Sequence, residues 1–150
     1  MTSQGPVTHF AHVAILVSDM EVSEKFYKDA LGFEFDHGVT GGEMWGKLTE
    51  LENFKYRANF YQRDGVMIEL FELESPEVTG SKERRPMNQL GFTHLSLVVN
   101  DLDEVLKRIE ACGGRAYRHT MVESSFGEIL FCTDPDGVRI EIWRKAVQPA

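Results

Sequence analysis

Apolar and polar positions along this chain follow two rhythms, and each rhythm occurs twice. The runs after His12 and His94, in His12-Val-Ala-Ile-Leu-Val-Ser-Asp19 and His94-Leu-Ser-Leu-Val-Val-Asn-Asp101, are short, rich in Val, Ile and Leu, and end at an Asp. That pattern predicts a well-buried strand leading into a helix N-cap. Over residues 20–31, Val22, Phe26 and Ala30 fall at i, i+4 and i+8, with Gly32 as the stop. Over 102–112, Leu102, Val105, Leu106 and Ile109 form an i, i+3, i+4, i+7 stripe closed by Gly113-Gly114. Glu104, three residues after Asp101, has the spacing of a capping box. Strand-like runs follow each helix, at 33–38, 57–62 and 66–73 and again at 116–122, 128–133 and 138–144. Asp64-Gly65 and Asp136-Gly137 read as the tight turns before the last strand of each set.

The chain is therefore expected to be an α+β protein built from two tandem βαβββ modules, at 7–75 and 90–146, joined by a loop at 76–89 that shows no sustained periodicity. Each helix is expected to cover its own sheet, through Phe26 and Ile109. The two halves are also related in detail. The two His-x6-Asp segments match, and Asp64-Gly-Val-Met-Ile-Glu69 recurs as Asp136-Gly-Val-Arg-Ile-Glu141.

This repetition turns ordinary residues into candidate ligands. A lone strand His is usually a satisfied core residue, and a lone strand Glu usually faces solvent. Here Glu69 lies between Ile68 and Leu70, and Glu141 between Ile140 and Ile142. A carboxylate in so apolar a run is costly to bury unless it is paired or bound to a metal. His12, Glu69, His94 and Glu141, in repeat-equivalent positions, are read as the ligands of one buried divalent metal drawn from Ni, Co, Zn, Mn and Fe. His9, His37 and His119 have no repeat partner and read as surface or pocket residues.

Composition narrows the classes that remain. At 150 residues, with 42% apolar and 27% charged positions, the chain can bury a sizeable core and has no room for a second independent domain. The 24 acidic residues outnumber 16 Lys and Arg, and the net charge of −8 is scattered. That argues against nucleic acid and anionic membrane as partners, but not against an anionic small molecule, because local charge in a pocket can oppose the total. No apolar run approaches the ~20 residues that span a bilayer. The start Met-Thr-Ser-Gln-Gly-Pro lacks the basic and apolar parts of a signal peptide, so a cytoplasmic protein is expected. Cys112 and Cys132 are not in CxxC spacing and read as small buried residues rather than nucleophiles.

Paired βαβββ modules with His on the first strand and Glu on the last resemble the vicinal oxygen chelate superfamily, which includes glyoxalase I, methylmalonyl-CoA epimerase, extradiol dioxygenases and bleomycin-resistance proteins. The resemblance runs from about His9 to Arg144 and takes in Phe26-Tyr-Lys-Asp-Ala-Leu-Gly-Phe33 and Asp134-Pro-Asp-Gly137. It implies a curved mixed sheet around a central metal site, with His12, Glu69, His94 and Glu141 at the positions that hold the metal in glyoxalase I. It also implies a homodimeric lyase, isomerase or epimerase. The substrate would be a small molecule with neighbouring oxygens that passes through an enediolate-like intermediate, and Glu141 or Glu69 would serve as base. Two alternatives stand beside it. One is an extradiol-type Fe(II) dioxygenase using His12, His94 and Glu141, in which Glu69 would be a superfluous fourth ligand. The other is a non-catalytic drug- or metabolite-binding protein, for which four intact ligands would be unneeded.

Overall fold

Eight strands, grouped four and four, carry both halves of the computed structural model, which describes residues 5–147. The first four residues, part of the segment read above for a leader, lie outside the described residues. The first sheet comprises β1 (Val13–Val17), β2 (Glu34–Gly41), β3 (Lys55–Arg63) and β4 (Val66–Ser75), in the order β1-β4-β3-β2. The second comprises β5 (Leu95–Val98), β6 (Arg115–Ser124), β7 (Gly127–Thr133) and β8 (Arg139–Lys145), in the order β5-β8-β7-β6. In each sheet the first and last strands pair in parallel and the others antiparallel. Both halves thus have the expected βαβββ order. The runs expected to be well buried are covered less fully, the first on one face and the second with no fully buried position. Ile15 and Val17 are buried, while their neighbour Leu16 and its counterpart Val98 are exposed.

Among the described residues no helix is long and apolar enough to cross a membrane. Helix α1 (Met20–Lys25) continues as a π-helical turn over Phe26–Ala30. The buried stripe runs through Met20, Ser23, Phe26, Tyr27 and Ala30, and Val22 is exposed. Its N-cap is the expected Asp19, whose carboxylate accepts from the Val22 N–H at 3.1 Å. A short helical segment missed by the pattern, a 3-10 turn at Glu43–Trp45 running into α2 (Gly46–Thr49), fills the connection from β2 to β3. Helix α3 (Leu102–Ala111) is capped by Asp101, which accepts from the Glu104 N–H at 3.0 Å. The capping box is only half made, because the Glu104 carboxylate accepts instead from Arg108 Nε at 2.8 Å.

The two turns before the last strands also differ. Asp64 and Gly65, with φ of 50° and 78°, form a two-residue hairpin turn. In the second half the loop is longer, from Asp134 to Val138. The Gly137 N–H donates to the Asp134 carbonyl, the Asp134 N–H to the Val138 carbonyl, and Gly137 takes φ 87°. The cause lies in the sequence. Pro135 favours the second position of a wider turn, and the Asp134 carboxylate accepts from the N–H groups of Asp136 at 2.9 Å and Val138 at 2.8 Å.

Contacts group the chain into two compact units that do not divide at the connecting loop. One holds the described residues up to Val17 together with Phe33–Glu77; the other holds Ser18–Gly32 with the described residues from Val78 onward. The helix bearing Phe26 therefore groups with the second sheet, not the first as expected. Phe26 is fully buried there, beside Gly114. A methyl group added at Gly114 would lie 2.5 Å from Phe26 Cε2, 2.6 Å from the Thr133 carbonyl oxygen and 2.9 Å from Ile109 Cγ2. The helix is tied to the β7–β8 loop by polar contacts as well. Tyr27 Oη donates to Asp134 Oδ2 at 2.9 Å, and the Asp136 carboxylate accepts from the Ser18 N–H at 2.8 Å and Ser18 Oγ at 2.6 Å.

Asp134 is 2% exposed, and burial pushes its carboxyl up to about 6 despite three donated hydrogen bonds. Burial first, and then the Asp134 charge, raise the Tyr27 hydroxyl well above its usual range. Two outcomes follow. Replacing Phe26 by Ala removes a fully buried ring and should cost ~3 to 5 kcal/mol, read as a large drop in thermal midpoint; a near-neutral shift would contradict the packing. Asp134 titrates higher folded than unfolded, so its stabilisation is complete below about pH 4 and is lost as pH rises through about 6. Wild type should lose on the order of 3 kcal/mol relative to Asp134→Asn between pH 4 and pH 7, measured by denaturant unfolding. A difference that does not change with pH would contradict this.

Candidate metal centre

Each unit assembles one of the two expected His–Glu pairs by the same local geometry. In the first unit, His12 stands just before β1, and Glu69 on β4 lies opposite Ala14. His12 Nε2 is 3.0 Å from Glu69 Oε2. In the second unit, His94 stands just before β5, Glu141 on β8 lies opposite Ser96, and His94 Nε2 is 3.7 Å from Glu141 Oε2. The flanking residues Ile68, Leu70, Ile140 and Ile142 are buried on the other faces of their strands, so alternation sets both carboxylates on the face that carries the imidazoles.

A phenylalanine completes each pair. Phe60 lies opposite Glu69 in the β3–β4 ladder and meets His12 edge-on, with ring centroids 5.3 Å apart. Phe131 lies opposite Glu141 in the β7–β8 ladder and meets His94 edge-on at 5.2 Å. The pattern reading missed both. The turn lengths held the signal, since counting back across the two-residue and five-residue loops pairs Phe60 with Glu69 and Phe131 with Glu141. His37 stacks on Phe60, with ring centroids 4.4 Å apart, and pairs with Asp36 at 2.5 Å. His9 and His119 are exposed.

The second pair carries more. Ser96 Oγ donates to Glu141 Oε1 at 2.7 Å, where the first half has Ala14. His94 Nδ1 is buried with no hydrogen-bond partner among the described residues. Nε2, on the far side of the ring, faces Glu141 at a distance too long for a hydrogen bond and near that between two ligands of one ion. The donor chemistry fits a divalent ion. Ligand bonds of about 2.0–2.2 Å place neighbouring N and O donors about 3–3.6 Å apart, close to the spacing of both pairs. Among the described residues no group of three or more His, Cys, Asp or Glu is gathered, and each pair is assembled within its own unit.

Other candidate chemistry falls away or is added. Cys112 and Cys132 are buried free thiols, and burial pushes Cys132 up to about 12, which keeps it protonated and inert as a nucleophile. On β8, two residues before Glu141, Arg139 is buried and donates to the Arg85 carbonyl at 2.6 Å. Burial first, and then the neighbouring Arg84 charge, lower its pKa.

Comparison with known proteins agrees with this architecture. YaeR of Escherichia coli K12, an uncharacterized protein, is 25% identical over 134 residues that span 89% of this chain and 94% of YaeR. A glyoxalase family protein from Bacillus cereus superposes with a TM-score of 0.84 at 17% identity, covering 98% of this chain and all of that one. The fosfomycin resistance protein FosX from Listeria monocytogenes superposes with a TM-score of 0.62 at 16% identity, over 96% of each chain. A mutant of FosX is solved with Mn(II) and 1S,2S-dihydroxypropylphosphonic acid. The model of one family matches residues 9–142, from before the first candidate histidine to just past the last candidate glutamate. With that match over nearly its whole length, this chain belongs to the Glyoxalase/Bleomycin resistance protein/Dioxygenase superfamily.

Proposed function

We propose that His12, Glu69, His94 and Glu141 together hold one divalent transition metal, and that the protein is a cytoplasmic metal-dependent lyase, isomerase or epimerase of the glyoxalase type. Its substrate is a small molecule with two neighbouring oxygens. The observation that carries this reading is the His–Phe–Glu arrangement built twice from repeat-equivalent positions, with spacings of 3.0 and 3.7 Å between imidazole and carboxylate. FosX, bound to Mn(II) and a compound with adjacent hydroxyls, supports the choice of a divalent ion and of vicinal oxygens. The two pairs join within one chain or between two copies in a homodimer.

When bound, a divalent ion supplies Lewis acidity, polarising a substrate oxygen and stabilising negative charge that develops there. The protein's own residues do the rest. Glu141 accepts the acidic carbon-bound proton at a carboxylate oxygen and returns it, and where it returns distinguishes isomerisation from epimerisation or lysis. Ser96, by donating to Oε1, fixes that carboxylate and leaves Oε2 turned toward His94. The edges of Phe60 and Phe131 pack the imidazoles and shed water from the reacting face.

The test is proton exchange. The metal-loaded protein, offered α-hydroxy, α-keto and thioester compounds in D2O, should exchange a carbon-bound proton without consuming O2. Glu141→Gln should slow exchange by about 10²-fold or more while the variant keeps its metal. If instead catechols consume O2 in the Fe(II)-loaded protein, and Glu69→Ala leaves that activity intact, the reaction is an extradiol oxygenation and Glu69 is an ordinary strand residue.

A further inference from the structure

The arginines of the second unit fall into two groups. Arg108, Arg118 and Arg144 each pair with a glutamate: Glu104, Glu110 and Glu128. Arg84, Arg85, Arg115 and Arg139 meet no carboxylate among the described residues, in a protein of net charge −8 with acidic side chains to spare. Three of them, Arg84, Arg115 and Arg139, gather on the face that bears Glu141, while the Arg85 guanidinium donates to the Phe92 carbonyl. Arg139 and Glu141 are two apart on β8 and so share a side.

The guanidinia are held on aromatic platforms. Arg139 Cζ lies 4.9 Å from the Phe131 ring centroid, the same ring that His94 meets edge-on. Tyr117 is the cross-strand neighbour of Phe131 and carries Arg84 at 3.7 Å and Arg115 at 5.1 Å. Stacking over a ring holds each guanidinium; Arg139 gives one Nη2 hydrogen bond to the Arg85 carbonyl and keeps its other N–H donors, the presentation that suits a planar or tetrahedral oxyanion. The repeat gives an independent reason. Arg139 stands at the single position where Asp136-Gly-Val-Arg-Ile-Glu141 differs from Asp64-Gly-Val-Met-Ile-Glu69, so a cation has been placed beside one Glu and not the other.

We propose that Arg84 and Arg139, with Arg115 at the rim, bind an oxyanionic group of the substrate, a carboxylate or a phosphoryl group. Resting on the metal reading above, this makes the substrate an anion whose neighbouring oxygens meet the His94–Glu141 pair while its charged end meets the arginines. A purely structural role for Arg139, tying the segment after β4 to the sheet through the Arg85 carbonyl, would not need a charge or a second unpaired guanidinium beside it.

The experiment uses protein freed of metal by chelation, so that an anion has no metal to bind, and titrates it with inorganic phosphate and separately with acetate by calorimetry. Binding of either in wild type, weakened at least about tenfold in Arg84→Ala and in Arg139→Gln but within about twofold in Arg118→Ala, supports the proposal. Phosphate alone assigns a phosphoryl group, and acetate binding of similar strength assigns a carboxylate. Arg139→Gln keeps a donor for the Arg85 carbonyl, and Arg84→Ala touches only a ring face, so thermal midpoints near wild type accompany the loss. No binding in wild type, or binding unchanged in both variants, or lost equally in Arg118→Ala, overturns it. Metal content measured before chelation separates the two readings. Metal held without any anion binding defeats this inference alone, and anion binding in a protein that holds no metal leaves the arginine site standing while the metal reading falls.

Discussion

A carboxylate set among isoleucines and leucines in mid-strand is an expensive object, and this chain carries two of them. Half-buried, Glu69 and Glu141 require a cation or donors close by. The parallel pairing of β1 with β4 and of β5 with β8 brings an imidazole to each. The remainder of the architecture keeps that pairing in register. Buried Ile68, Leu70, Ile140 and Ile142 fix which way the strands face, since a slip of one residue would turn both glutamates into the core. The hairpin loops set which residue lies across from each glutamate, and in both halves it is a phenylalanine.

The two halves share this frame and then diverge. The first offers His12, Glu69 and Phe60, with Ala14 and Met67 as neighbours. The second puts Ser96 and Arg139 at the corresponding places. One half pairs its imidazole with its carboxylate and adds little else; the other orients its carboxylate through a hydroxyl and adds positive charge. The strand pairing is thus repeated in the two halves while the side chains around each carboxylate differ.

Much of this was legible in the sequence because it depends on short-range order. The repeated segments gave the βαβββ order, the caps at Asp19 and Asp101 and the pairing of each His with its Glu, all of which follow from strand alternation and turn chemistry within one half. What was missed depends on distance along the chain. The π-helical turn at Phe26–Ala30 follows from packing against the second sheet, where Gly114 leaves room for the ring, and no window around Phe26 contains that information. The Asp134 clasp on Tyr27 joins residues more than a hundred positions apart. The arginine cluster draws on the segment after β4 and on two strands, so neither periodicity nor local spacing points to it. The proposed gathering of the two pairs at one ion rests on the symmetry of the repeat, each pair being built within its own half.

The central claim is therefore that two half-sites act as one, and metal stoichiometry tests it most directly. Protein stripped by chelation and reloaded with Mn(II), weighed against variants lacking His12 and Glu69 together or His94 and Glu141 together, should show one tightly held ion per chain in wild type and essentially none in either variant. Retention of the ion by a variant that lacks one whole pair, or two ions per wild-type chain, would contradict it, because each pair would then be a separate site.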